Sequence, residues 1–190
     1  MDTLYIHADE SCLGNQKQTQ SSPGGAGGLV EVWKDQDWER RDFWLSEPDT
    51  TNNRMALRSA IEPLSSLNRR CRIILTSDSQ YLVKGINEWR HGWKRSGWTR
   101  KAGKILNLDL WKHLDTLVER HEVFAQWVRG HDGHPENEYV DFLATRAAAD
   151  QSASGGFTDS NFIEWLCTQR EDGKFLDYME FQPPKDRFKA

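Results

Sequence analysis

Thr50-Thr51-Asn52-Asn53-Arg54-Met55-Ala56-Leu57 opens a helix, with Thr50, Thr51 and Asn52 as candidate N-caps. Met55, Leu57, Ile61, Leu64 and Leu67 continue it as an apolar stripe at helical spacing. Pro63 lies within the stripe and predicts a kink or an early end. Upstream, Leu4, Ile6 and Ala8 alternate with Tyr5 and His7 before Asp9-Glu10-Ser11, the pattern of a short strand. Downstream, Arg72-Ile73-Ile74-Leu75 is a continuous apolar run leading into Thr76-Ser77-Asp78-Ser79-Gln80, the pattern of a strand covered on both faces. A strand, a helix and a second strand in this order imply a parallel crossover, hence a mixed sheet with helices on its faces.

Working outward, Gly14 to Gly28 is rich in Gly, Ser, Gln and Asn and reads as a loop. Leu29 to Trp33 and Trp38 to Leu45 read as strands joined by a hairpin turn at Lys34-Asp35-Gln36-Asp37. Ser79 to Trp89 reads as a helix running into a tryptophan-rich, basic stretch. Leu108, Leu110, Trp111, Leu114, Leu117 and Val118 mark another helix capped by Asn107, and Val123 to Val128 a last strand. Pro135 fits the first turn of a helix carrying Val140, Leu143, Ala144 and Ala147. Gln151 to Gly156 is a small, polar linker. Beyond it, Asp159 or Ser160 could cap a short helix with Phe162, Ile163 and Leu166 inward, and Asp172-Gly173 reads as a turn.

The 190 residues suffice for one domain, expected over 1–150, and an appendage over 151–190. No apolar run is long enough to span a bilayer, and no basic-then-apolar signal segment opens the chain. Cys12, Cys71 and Cys167 are scattered without CxxC spacing and read as free thiols, so the expected compartment is the cytoplasm. The net charge of −4 argues against indiscriminate nucleic-acid binding. Between Lys84 and Lys104, however, seven Lys or Arg stand against the single acid Glu88, a basic patch suited to a charged partner met on one face.

Asp9 and Asp78 each end a strand, and Gly130-His131-Asp132-Gly133-His134-Pro135-Glu136-Asn137-Glu138-Tyr139-Val140-Asp141 adds a histidine and a further carboxylate. Carboxylates gathered from distant strand and helix ends suit divalent cations with oxygen ligands. Singly each has a plainer reading, since a strand-end aspartate is more often a turn former. Together and in this order they resemble the type 1 ribonuclease H family over residues about 3–150. The resemblance implies an α/β, ribonuclease H-like fold, a mixed five-stranded sheet with helices on both faces, plus a small C-terminal extension it does not cover. It implies an endonuclease that hydrolyses the RNA strand of an RNA/DNA hybrid with two Mg²⁺ or Mn²⁺ ions, leaving a 3′-hydroxyl and a 5′-phosphate. Asp9, Asp78 and Asp141 match the metal ligands, and His131 the residue that helps product leave or shuttles protons. Asn15, Asn52, Asn53 and Gln80 match positions that contact 2′-hydroxyls and base edges in the minor groove. Thr51 and Arg54 fall near the family's pocket for a DNA-strand phosphate. Trp89, Trp93, Lys94, Arg95 and Trp98, with Arg100 and Lys101, resemble its basic protrusion. The plainer readings are helix capping for the asparagines and core packing for the tryptophans.

One family position is vacant: its catalytic glutamate falls on Ala56. Glu62 is about 240° further round the helix, Ser59 and Ala60 carry no carboxylate, and Glu10, where the family usually has glycine, is expected to face the other side of the sheet. Ala56 therefore reads as a position that cripples turnover, either as an introduced substitution, favoured by the intact surroundings, or as a natural variant. The alternative is a non-catalytic module that binds hybrids or double strands. A monomer is expected, with a protein partner possible through residues 157–190 and no membrane contact.

Overall fold

Apolar alternation and turn chemistry assemble one sheet in the computed structural model, which describes residues 3–14, 22–130 and 133–179. The strands are β1 (Thr3–Cys12), β2 (Ser22–Lys34), β3 (Asp37–Thr50), β4 (Arg72–Ser77), β5 (Glu122–Trp127) and the two-residue β6 (Thr158–Asp159). Their order is β5-β4-β1-β2-β3-β6. β1, β2 and β3 form an antiparallel meander, while β4 joins β1, and β5 joins β4, in parallel. Asp35 and Gln36 both adopt positive φ, 51° and 67°, the left-handed pair that matches a two-residue hairpin to the twist of its strands.

Helices cover both faces. On one face lie α1 (Asn52–Ser66) and α4 (Leu108–Arg120), closing a core that includes Ile6, Leu57, Leu64, Ile73, Leu75, Trp111 and Leu114. On the other lies α5 (Pro135–Asp150), whose Tyr139 and Val140 pack with Leu29. Between β4 and α4 the chain forms α2 (Gln80–Lys84), a π-helical turn (Gly85–Trp89) and α3 (Arg90–Arg95). A Cβ on Gly85 would lie 1.9 Å from the Trp111 ring, so only glycine lets this turn approach α4. α1 continues through the buried Pro63 to Ser66. No helix among the described residues is long and apolar enough to cross a membrane.

Two expectations are corrected. The second half of the glycine-rich run assigned to a loop is strand: Ser22 to Gly28 belongs to β2. Those glycines serve close approach, since a Cβ on Gly25 would sit 2.2 Å from the Ala144 carbonyl oxygen and one on Gly27 would sit 2.7 Å from the Ala144 nitrogen. α5 thereby lies almost on the backbone of the sheet. The five expected strands are joined by a sixth, because Thr158 and Asp159 pair with Asp42 and Arg41 on the edge of β3. The chain then forms α6 (Phe162–Glu171), which buries Phe162 and Leu166 and leaves Ile163 exposed.

Candidate active site

The pairing of β1 with β4 runs from Thr3 opposite Arg72 to His7 opposite Thr76, and there the strands part. β1 continues through Asp9 and Glu10, held on its other side by β2. β4 ends at Ser77 and delivers Asp78 beside the open flank of β1. Ligand atoms of Asp9, Glu10 and Asp78 lie within 4.8 Å of one another. Glu10 was expected to face away, and the backbone does alternate: Asp9 lies opposite Gly27 beneath α5, and Glu10 opposite Ala26, which packs with Met55 of α1. The carboxylates nonetheless meet. β4 no longer pairs with β1 beyond His7, and the Glu10 side chain reaches Asp78 and a hydrogen bond from Ser79.

The cluster is electrostatically unfavourable by itself. Burial first, then the Asp78 charge, pushes the Asp9 carboxyl up to about 9, against a 2.7 Å hydrogen bond donated by the Glu10 backbone N–H. Burial and Asp78 push Glu10 up to about 8. Its Oε2 is buried without a hydrogen-bond partner. An all-carboxylate donor set with an unpartnered oxygen and strong mutual repulsion fits a hard divalent cation such as Mg²⁺ or Mn²⁺ better than zinc. Asp141, on the second turn of α5, adds a smaller repulsion on Asp9.

Ala56 is wholly buried in the apolar cluster that also holds Ala8, Leu57 and Ile61. Glu10 follows Ala8 on the same face of β1, and Cys12, next on that face, packs against Met55. Position 10 thus lies on the face of β1 that packs against α1, the helix that carries Ala56. The sequence signal for Glu10 was the Asp9-Glu10 doublet itself, discounted because strand alternation takes no account of where the neighbouring strand stops.

A Cβ on Gly130 would fall 2.3 Å from Asp78 Oδ2, so Gly130 lies directly against the site. His131 and Asn15 lie outside the described residues. Gln80 is exposed, two residues beyond Asp78. Thr51 caps α1 by accepting from the Arg54 N–H at 3.4 Å, leaving exposed Asn52 and Asn53 on the first turn, where free N–H groups favour anions. The Arg54 guanidinium stands 3.9 Å from Glu47 and 3.8 Å from Asp109.

Further along, the tryptophans enclose Tyr81, whose hydroxyl accepts from Trp111 Nε1 at 2.8 Å. Trp89 and Trp111 meet the Tyr81 ring edge-on, and Trp93 bridges between them. A cleft of about 280 Å³ between Tyr81, Trp89, Trp93, Arg100, Ile105 and Leu106 opens beside them. Trp98, at φ 62°, turns the chain back with its N–H on the Trp93 carbonyl. Lys94 is held by Glu119 and by Asp115 at 3.1 Å, while Arg95 and Lys101 are exposed.

The family model for RNase H matches residues 1–149. The chain belongs to the ribonuclease H family. A ribonuclease H of Stutzerimonas stutzeri is 48% identical over 146 residues, spanning 76% of this chain and 91% of the relative. One from Alkalilimnicola ehrlichii is 47% identical over 153 residues, spanning 80% and 99%. Among solved structures, LC9-RNase H1, described as a type 1 RNase H with the type 2 active-site motif, matches with a TM-score of 0.87 at 43% identity, covering 100% of this chain and 92% of that one. The prototype foamy virus RNase H domain shares the fold alone, with a TM-score of 0.62 at 15% identity. As a member the chain is an enzyme, a ribonuclease H. The family model stops where α5 ends, whereas the match to LC9-RNase H1 takes in the extension as well.

Proposed function

We propose that this ribonuclease H hydrolyses the RNA strand of RNA/DNA hybrids with Asp9, Glu10, Asp78 and Asp141 as its four carboxylates, and that Glu10 takes the part for which Ala56 lacks a side chain. The observation that carries the reading is the convergence of the Glu10 carboxylate with Asp9 and Asp78 while Ala56 lies in the apolar core. The chain is then an active enzyme rather than a crippled one, and Ala56 is a native complement to Glu10.

Asp9, Glu10 and Asp78 would hold the divalent cations, Mg²⁺ or Mn²⁺, with Asp141 reaching in from α5. Two such ions would neutralise phosphoryl charge and make water nucleophilic. The protein's own groups orient the hybrid. Gln80, Asn52 and Asn53 meet 2′-hydroxyls and base edges of the minor groove, the surface on which RNA is told from DNA, and Asn15 is assigned the same role by its place in the family pattern. Arg54 and the first turn of α1 take a phosphate of the DNA strand, releasing the loose contacts to Glu47 and Asp109. Arg95, Arg100 and Lys101 meet further phosphates, with Trp89, Trp93 and Trp98 as the rigid apolar base of that surface. His131 serves proton transfer or product departure.

The test is cleavage of an end-labelled hybrid by the chain and by Glu10→Gln, in Mg²⁺ and in Mn²⁺. The chain cuts as written, and the variant loses at least about 100-fold while still binding hybrid. Hybrid binding without cleavage by the unaltered chain would instead make it a binding module.

A further inference from the structure

Asp141 acts on Asp9 from α5, and α5 is gripped from behind by the C-terminal extension. Asp42 on β3, only 2% exposed, accepts hydrogen bonds from the Tyr139 hydroxyl at 2.5 Å and from the Asn161 backbone N–H at 3.0 Å. One buried carboxylate thus ties α5 to the start of α6. The Tyr139 ring meets Phe162 and Trp165 at centroid distances of 5.4 and 5.2 Å. One turn earlier, the Tyr178 hydroxyl bonds the Glu136 carboxylate, and Arg170 Nη2 holds the Tyr178 carbonyl at 2.8 Å. Tyr139 precedes Asp141 by two residues, about 200° round the helix. The extension therefore grasps the back of the turn whose front carries Asp141.

We propose that the extension is a positioning element for the metal site: Asn161 and Tyr178, through Asp42, Tyr139 and Glu136, fix the first two turns of α5, and thereby the place of Asp141 relative to Asp9. The proposal rests on the carboxylate site described under Proposed function. Its consequence is that contacts remote from the hybrid set cation affinity, as outer partners of ligating groups do.

The experiment uses the full chain, Tyr139→Phe and Tyr178→Phe, with Mn²⁺ binding measured by electron paramagnetic resonance without substrate, and kcat and KM measured against metal concentration. Both variants should weaken Mn²⁺ binding and raise the half-saturating metal concentration by about three- to tenfold, toward the lower range for outer partners. KM for the hybrid stays unchanged, and saturating Mn²⁺ restores kcat. Unchanged Mn²⁺ binding in two folded variants, even with a lower Tm, overturns the proposal and leaves the extension a structural cap. If Tyr139→Phe fails to fold, Tyr178→Phe decides alone. Asp9→Asn separates the two readings: if it keeps full Mn²⁺ affinity, the carboxylate site itself is wrong, and if it alone loses affinity, only the positioning role falls.

Discussion

The carboxylate cluster at the parting of β1 and β4 and the tryptophan cluster of α2 to α4 bear charge in opposite ways. In the first, carboxyls are crowded, Glu10 Oε2 has no hydrogen-bond partner, and burial and Asp78 push Asp9 up to about 9 and Glu10 up to about 8. In the second, the rings pack edge-to-face, and Arg90 and Lys94 share Asp115, the former at 2.6 Å. One region crowds carboxylates that a cation would relieve, and the other pairs its charges within the protein. Binding and turnover should therefore divide between them, and substitutions in the two regions should move different kinetic constants.

The largest expected effect is at the carboxylate end. Asp9→Asn and Glu10→Gln each lower kcat by about 10²–10⁴-fold with little change in hybrid affinity, because each removes charge from the reacting centre. The same substitutions stabilise the metal-free protein at pH 8 by about 1–2 kcal/mol, a rise in Tm of several degrees by calorimetry, since the cost of burying an ionisable carboxyl beside Asp78 is removed. A fall in Tm would place these carboxylates in stabilising pairs instead.

Next comes Gly130→Ala. Its new Cβ would collide with Asp78 Oδ2, the free end of a side chain rather than backbone, so the carboxylate moves and the fold does not. A loss of about 10–100-fold in kcat is expected with Tm nearly constant, because small misplacements at a reacting centre are costly. Equal losses in stability and rate would show that the loop, rather than Asp78, yields.

Stability against pH is the third comparison. The carboxyls of Asp9 and Glu10 are raised from 3.8 and 4.5, so the folded state binds more protons than the unfolded state across that window. This contribution is fully present below about pH 4 and is lost as pH rises through 8 to 9. The metal-free Tm should fall across the window, and Mg²⁺ or Mn²⁺ should flatten the fall by replacing the protons. The smallest effects belong to the tryptophan end. Lys94→Ala should change KM by about two- to threefold, with a shallower salt dependence and unchanged kcat, because the lysine is already partly neutralised by Asp115 and Glu119.

Most of this architecture could be read from the chain. Apolar periodicity gave β1, β4, β5 and the long helices, and the Asp9, Asp78 and Asp141 motifs gave the family. Two misreadings share one cause: local composition cannot report what lies across the sheet. Gly24 to Gly28 looked like a loop because glycine disfavours strands, yet Gly25 and Gly27 are required by the Ala144 backbone above them. Glu10 looked misdirected because alternation assumes a paired neighbour, and β4 stops pairing two residues before Asp9. The docking of the extension was equally hidden. Phe162 and Leu166 signalled an inward face, but the buried Asp42 that receives α6 lies far away in sequence.

The measurement that tests the central claim most directly is the hybrid-cleavage rate of Glu10→Gly with and without Ala56→Glu. Glu10→Gly alone should lose at least about 100-fold, and adding Ala56→Glu should recover most of it by returning a carboxylate to the same space from α1. Full activity in Glu10→Gly, with Ala56 unchanged, would contradict the account, for Glu10 would then be a neighbour of the site and not one of its carboxylates.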